Sequence, residues 1–505
     1  MVEESAEKVA GAQEPRACAA GFATVPAERC VEVPESATAR LTWTDGERSI
    51  DYAATAGHVE VRDDAGVLLG RMFSLSYVAV DADGRPDASR PVTFAYNGGP
   101  GSSSVPINFG GIGPRRAVTD GTRHLRADAP LEDNPHTLLV ESDVVFLDAL
   151  GTGWSRLAED VDPKKVFCID GDADAFARAI CAWLTESGRW SSPLYLFGES
   201  YGTIRNSVLM RLLGERGVQL TGVVMLSAVL NTVPLLCPGE DAYYVGMMPT
   251  MAAGAQFFGK AGAGVDEDEW FDRAMAFAED ELAPALLRGD RLGAEREREV
   301  AEGLASYLGL SVEHVLSRHL RVDLLDFRTH VLADEGRVCG RLDVRYASDG
   351  PSPVQGTNGW IAEEDAADDA LNGAWVLSMR RFCADVLGYE GPARYLGNNY
   401  GKVGESWDWS HEAPGLGRVA TPNVALDVAL ALRRNPTCKL AIIGGRFDAA
   451  TPWENVVRDM SGQFLSEGLK ERVSWYRVGS GHMAYTDDAA LAQMGADMHE
   501  FYERR

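Results

Sequence analysis

The stretch Gly198-Glu199-Ser200-Tyr201-Gly202 places a serine between two glycines, directly after an apolar run at 194–197 and before a helical pattern at 203–213. This is the sequence form of a nucleophile elbow, in which any side chain at the flanking glycines would collide with neighbouring elements. The serine hydroxyl then projects above a sheet, with a helix N-terminus beneath it that favours negative charge. A serine nucleophile needs a base. Of the nine histidines, His482 is the one in a glycine-flanked loop past a C-terminal strand, Gly479-Ser480-Gly481-His482-Met483. The imidazole in turn needs a buried carboxylate to fix its tautomer and stabilise its cation. Asp448, in Gly444-Gly445-Arg446-Phe447-Asp448-Ala449-Ala450-Thr451-Pro452, follows the preceding strand and is the natural candidate. Its plainer reading is a turn aspartate or a helix cap before Pro452.

The chain order Ser200, Asp448, His482 is that of the α/β-hydrolases. The elements that must position these side chains read accordingly. Apolar runs at 91–96, 143–147, 193–197, 222–228, 439–443 and 473–478 end in glycine-rich loops, as buried parallel strands do. Helical patterns at 173–185 and 203–213 lie between them, which predicts an α/β fold with a central, mostly parallel sheet. From about 231 to 420 the texture becomes helix-rich and charged, with helical patterns at 268–287, 294–308, 312–319 and 368–387. Strand character returns at Lys439, so this region reads as a large helical cap insertion. The expected organisation is a tail over 1–35, a core over 36–230, the insertion over 231–420 and the rest of the core over 421–505. The loop Tyr96-Asn97-Gly98-Gly99-Pro100-Gly101-Ser102-Ser103-Ser104 follows an early strand, where an α/β-hydrolase supplies an oxyanion-hole amide. A phosphate cradle is the weaker reading, because the lysine of that motif is missing.

Composition narrows the function classes. A chain of 505 residues with 45% hydrophobic and 24% charged content buries a full core. Its net charge of −27 repels phosphate backbones and anionic lipid, so neither nucleic acid nor a membrane is an expected partner. The most apolar stretch, 222–237, is too short to span a bilayer. The acidic stretches 266–268 and 363–369 lack calcium-loop spacing and read as solvated surface. The eight cysteines show no C-x-x-C pair, so zinc and redox motifs are absent, and no metal or cofactor is expected. Cys18 and Cys30 would form the most local disulfide; free thiols are the expected state. The N-terminal residues are polar and acidic without a signal's apolar run, which predicts a cytoplasmic chain, or a secreted or periplasmic one had a leader been removed. A homodimer is left open.

Taken together, Asn97-Gly98-Gly99-Pro100-Gly101, Gly151-Thr152-Gly153-Trp154-Ser155, Gly198-Glu199-Ser200-Tyr201-Gly202, Asp448 and Gly481-His482-Met483 resemble the serine carboxypeptidases. The resemblance covers about 70–230 and 421–505. It implies that Ser200 is the nucleophile, His482 the acid/base and Asp448 its orienter, with the amides of Gly99 and Tyr201 as the oxyanion hole. It further implies that Asn97, the Gly98 amide and Glu199 bind the free carboxylate of a peptide substrate. A glutamate beside a carboxylate cannot favourably stay ionised, so the pair must share a proton and binding should weaken as pH rises.

The chain also departs from the better-known secreted members. Ser102 stands where those carry cysteine, and Gly111-Ile112-Gly113-Pro114 where those have a glutamate that also contacts the substrate carboxylate. Arg115 and Arg116 follow directly and are candidates to supply charge instead, against a solvated-loop reading. The implied activity is removal of a C-terminal residue through an acyl-enzyme. The alternatives are acyl transfer or ester hydrolysis on a small metabolite and, from a different class, a catalytically silent binding protein.

Overall fold

The computed structural model describes residues 32–119, 125–126, 129–236, 239–350 and 365–504. Cys18, Cys30, Cys237, Glu363, Glu364 and most of the expected tail lie outside the described residues. Cys168, Cys181, Cys339, Cys383 and Cys438 are free thiols.

Among the described residues ten strands join in one sheet. Its order across the molecule is Ala37–Thr44, Ser49–Arg62, Leu68–Ala79, Asp143–Leu147, Val92–Tyr96, Leu194–Glu199, Gly222–Leu226, Lys439–Gly445 and Val473–Val478, with Arg156–Leu157 pairing off Leu68–Ala79. The last six of this order run parallel to one another and are the six runs expected from the sequence. Five of those six are buried at every residue, because helices cover both faces. Within Gly222–Leu226, Val223 and Met225 enter one core and Val224 and Leu226 the other, which is the two-residue period of a strand read directly as packing. Ile169–Ser187, Tyr201–Glu215 and Ala425–Arg434 cover the first face; Asp488–Glu503 contributes to the second.

The three N-terminal strands are antiparallel and were not anticipated. The first two are rich in Ala and Thr, for example Ala53-Ala54-Thr55-Ala56-Gly57, and the apolar residues of Leu68–Ala79 are broken up by Gly70, Arg71, Ser74 and Ser76, so no unbroken apolar run marks them. They are joined by ladder bonds; Trp43, Tyr52 and Tyr77 enter one core, and Val59, Val61 and Met72 the other.

After Leu226 the chain leaves the sheet and returns to it at Lys439. The intervening stretch is mostly helical, with Asp241–Phe257, Glu267–Phe277, Ala294–Leu308 and Ala366–Arg381 as its longer elements. Two short hairpins, Arg337–Cys339 with Ala347–Asp349 and His411–Ala413 with Gly417–Val419, interrupt it. Among the described residues no helix is long and apolar enough to cross a membrane.

Candidate active site

Ser200 sits between the strand Leu194–Glu199 and the helix Tyr201–Glu215, at φ 60° and ψ −129°. A non-glycine residue at positive φ is strained, and the surrounding structure must hold it there. Ser200 N donates to Leu226 O at 3.0 Å, and a Cβ at Gly198 would lie 2.4 Å from the Gly202 carbonyl oxygen. A side chain is thus excluded at Gly198. The Ser200 hydroxyl makes no capping bond to its own helix, which leaves it available for chemistry.

Asp448 and His482 are buried side by side. The Asp448 Oδ2 lies 2.9 Å from His482 Nδ1 and also accepts the Thr451 hydroxyl at 2.7 Å. Oδ1 accepts the N–H groups of Ala450 and Thr451, each at 2.8 Å. Asp448 is therefore both the turn-capping aspartate of the plainer reading and the partner of the imidazole. Burial disfavours its charge, but the neighbouring imidazole and the Thr451 donors outweigh burial and hold its carboxyl below the usual range. For His482 burial works against the cation, and the Asp448 carboxylate outweighs it, so its affinity for a proton is raised. With Asp448 ionised, Nδ1 carries the hydrogen and Nε2 keeps its lone pair, which is the tautomer a general base requires. Ser200 and His482 line one cleft of about 360 Å³. Among the described residues no hydrogen bond joins them; such bonds commonly tighten only when substrate binds.

The Asn97–Ser104 loop lies against the elbow. A Cβ at Gly98 would sit 2.5 Å from Tyr201 N and 2.6 Å from Gly202 N, so only glycine lets this backbone approach the start of the helix. Arg205, buried in that helix, donates to Asn97 O at 2.9 Å and pairs with Asp172 at 2.7 Å, while its guanidinium stacks 4.1 Å from the Phe176 ring centroid. From the other side Asp148 accepts Ser104 N at 2.8 Å. The glycine loop that follows Asp148 is tied in by reciprocal backbone bonds between Gly153 and Leu396. The arrangement brings the Gly99 and Tyr201 backbones to the edge of the Ser200 cleft, where their amides can receive an oxyanion.

Glu199 is 2% exposed, and its Oε2 accepts the Tyr485 hydroxyl at 2.9 Å. Burial pushes its carboxyl up to about 7; His482 and hydrogen bonds from Tyr485 and Asn97 pull the other way. Asn97 Oδ1 is already engaged by Ile107 N at 3.0 Å, which leaves its amide NH₂ as the donor for Glu199 or a ligand. Gly111 now acquires a physical reason. A Cβ there would lie 2.9 Å from the Tyr485 ring, so glycine at this position makes room for the tyrosine that bonds Glu199.

Two sequence expectations need correction. Arg115 pairs with Asp133 at 2.8 Å and Arg116 with Asp488, and neither lines the cleft. Asp368 is not solvated surface: it lines the cleft, and burial together with Asp365 and Asp369 pushes its carboxyl up to about 6. The inserted stretch also reaches the Asp448 and His482 loops directly through residues 340–346. Leu342 O accepts His482 N at 2.6 Å, Arg341 O accepts Ala449 N at 3.1 Å, and Val344 N donates to Phe447 O at 3.1 Å. The buried pair Arg345–Asp343, at 2.7 Å, adds bonds from Arg345 to Gly479 O and Ser480 Oγ. Nothing in the sequence of this strap flags it, because its contacts are mostly backbone. Thr451 and Tyr485, which support Asp448 and Glu199, were missed too; Thr451 lies within the quoted aspartate loop and Tyr485 three residues past His482, where closeness in sequence was the available signal.

Comparison with known proteins points the same way. The sequence model of the serine carboxypeptidase family matches residues 46–224. The chain is 33% identical over 162 residues to serine carboxypeptidase-like 42 of Arabidopsis thaliana, covering 31% of this chain and 30% of that protein. It is 26% identical over 191 residues to serine carboxypeptidase-like 36 of the same plant, covering 36% of each. The matched stretch therefore spans about a third of the length of these curated relatives. In three dimensions the chain is similar to Kex1, a prohormone-processing carboxypeptidase from Saccharomyces cerevisiae, with a TM-score of 0.54 at 14% identity over 89% of this chain and 91% of the other. At that identity the likeness speaks for the α/β-hydrolase fold.

Proposed function

We propose that this chain, whose residues 46–224 match the sequence model of the serine carboxypeptidase family, releases the C-terminal residue of peptides, or of peptide-like amides, through an acyl-enzyme on Ser200. His482 Nε2 takes the proton of the Ser200 hydroxyl as Oγ adds to the last peptide carbonyl. The tetrahedral oxyanion is received by the Gly99 and Tyr201 amides. The imidazolium, held by Asp448, returns the proton to the leaving nitrogen, and the C–N bond breaks. Water then repeats the sequence on the ester, giving the shortened peptide and free Ser200.

One observation carries this reading. His482, its Nδ1 2.9 Å from the buried Asp448 carboxylate, lines one cleft with a strained serine and with Glu199, a buried carboxyl whose proton affinity is raised to about 7. A buried acid of that kind beside a nucleophile suits a ligand that itself brings a carboxylate, because the two can share one proton. The test is a panel of N-blocked peptides with free and amidated C-termini, assayed with wild type and Ser200→Ala. Release of the terminal residue from free-terminus peptides only, abolished in Ser200→Ala, is the expected result. Equal turnover of both termini, or turnover only of small esters, would overturn it.

A further inference from the structure

The carboxylate subsite just described, if the chain is a carboxypeptidase, has a gap. Asn97, the Gly98 amide and Glu199 offer neutral donors and one titrating acid, and no fixed positive charge. The cleft also holds the acid Asp368, in a molecule with a net charge of −27. A substrate carboxylate entering such a cleft meets a repulsive field unless a cation stands there. Arg115 and Arg116 are committed elsewhere. Among the described residues the cleft is lined by a single arginine and no lysine, and that arginine is Arg341.

Arg341 is held in place by its backbone. Its N–H and that of Leu342 both donate to Asp365 Oδ2, at 2.9 and 2.8 Å, its carbonyl accepts Ala449 N next to Asp448, and the following carbonyl accepts His482 N. Its Cα is thus fixed between the acid loop and the base loop. Its side chain is a different matter. It remains exposed in the cleft, and among the described residues it forms no ion pair and no hydrogen bond. His482, Asp368 and Tyr400 all sense its charge. A guanidinium with five N–H donors, carried on an anchored backbone and without an ion pair or hydrogen bond among the described residues, suits bidentate capture of a carboxylate.

We propose that Arg341 is the charged anchor for the free C-terminal carboxylate of the substrate, acting beside Asn97 and Glu199. This rests on the carboxypeptidase reading and deepens it. Every substrate of such an enzyme carries that carboxylate, whereas an acidic side chain would occur in only some, so the terminus is the group a permanent anchor serves. Specificity for free termini then comes from the helical insertion as well as from the core loops.

The test uses the full chain with Arg341→Gln and Arg341→Lys against three substrates: an N-blocked dipeptide ending in Leu, the same dipeptide ending in Glu, and an N-blocked amino acid methyl ester that has no carboxylate. Arg341→Gln should raise KM for both free-acid dipeptides by roughly 10- to 100-fold, the range of a charge-assisted bidentate contact, while kcat stays within about twofold. Ester hydrolysis should be unchanged, and Arg341→Lys should recover part of the loss. Unchanged KM in Arg341→Gln, an equal loss on the ester, or a loss confined to the dipeptide ending in Glu would each overturn the proposal. If wild type hydrolyses the ester and neither dipeptide, the carboxypeptidase reading itself has failed, and that is visible without any variant.

Discussion

The carbonyl oxygen of Leu342 accepts the backbone N–H of His482 at 2.6 Å, so the loop that carries the proposed general base is braced by a residue some 140 positions before it. The brace is itself secured by the Arg345–Asp343 pair, both partners being almost fully buried. Breaking one side of a buried pair leaves the other charge uncompensated. Arg345→Leu should therefore destabilise the protein by about 3–5 kcal/mol. Thermal unfolding measures that loss. The rate at which a fluorophosphonate labels Ser200 should fall as well, because Arg345 also bonds Gly479 O and Ser480 Oγ ahead of His482.

Asp448→Asn keeps the shape of the acid loop and removes its charge. The imidazole then loses the partner that selects its tautomer and stabilises its cation. A fall in kcat of about ten-thousandfold is expected, with KM little changed. Steady-state kinetics on an N-blocked peptide checks this.

The raised proton affinity of Glu199 sets a pH signature. Below about 7 its carboxyl is neutral and can share a hydrogen with a substrate carboxylate; above that value both groups are anionic. For free-terminus peptides kcat/KM should fall as pH rises through about 7, while an ester lacking the carboxylate should show only the rise that accompanies loss of the His482 proton. The two groups feel each other, so the limbs of the peptide profile belong to the pair. Glu199→Gln should flatten the alkaline fall.

The same carboxyl links pH to stability. An unfolded glutamate releases its proton near 4.5 and this one near 7, so the folded state binds more protons between those values. The protein is most favoured below the lower pH, loses roughly 3 kcal/mol across the window, and changes no further from this group above it. Melting curves of wild type and Glu199→Gln should diverge over that interval, with the variant the more stable at pH 8.

Gly98→Ala directs a methyl group at Tyr201 N, a main-chain atom with nowhere to go. Displacing either amide of the proposed oxyanion pair should lower kcat by roughly 100- to 1,000-fold. Retained far-ultraviolet circular dichroism alongside that loss would show that the defect is local.

The parallel half of the sheet was legible because each strand, such as Asp143–Leu147 or Gly222–Leu226, is an unbroken apolar run that the chain can bury on both sides. Ser200, Asp448 and His482 were legible for a related reason: each sits in a loop after such a run, and glycine marks where a side chain would clash. The antiparallel edge was not legible, since Ala37–Thr44 and Ser49–Arg62 are rich in Ala and Thr and the apolar residues of Leu68–Ala79 are interrupted by glycine, arginine and serine. Nor was the 340–346 strap, whose work is done by carbonyls and amides that every residue possesses. Gly111 looked like a missing ligand until Tyr485 was seen to fill the space it leaves.

The backbone of Ser200, held at φ 60°, is a conformation that glycine adopts freely and serine resists. Strain of this sort costs about 1–3 kcal/mol, and the fold bears it at the one position where a reactive oxygen must be thrust forward. Selection for thermal robustness alone would drift toward glycine here and end in an inert protein, so the reactivity of this chain and its durability pull against each other at a single peptide unit.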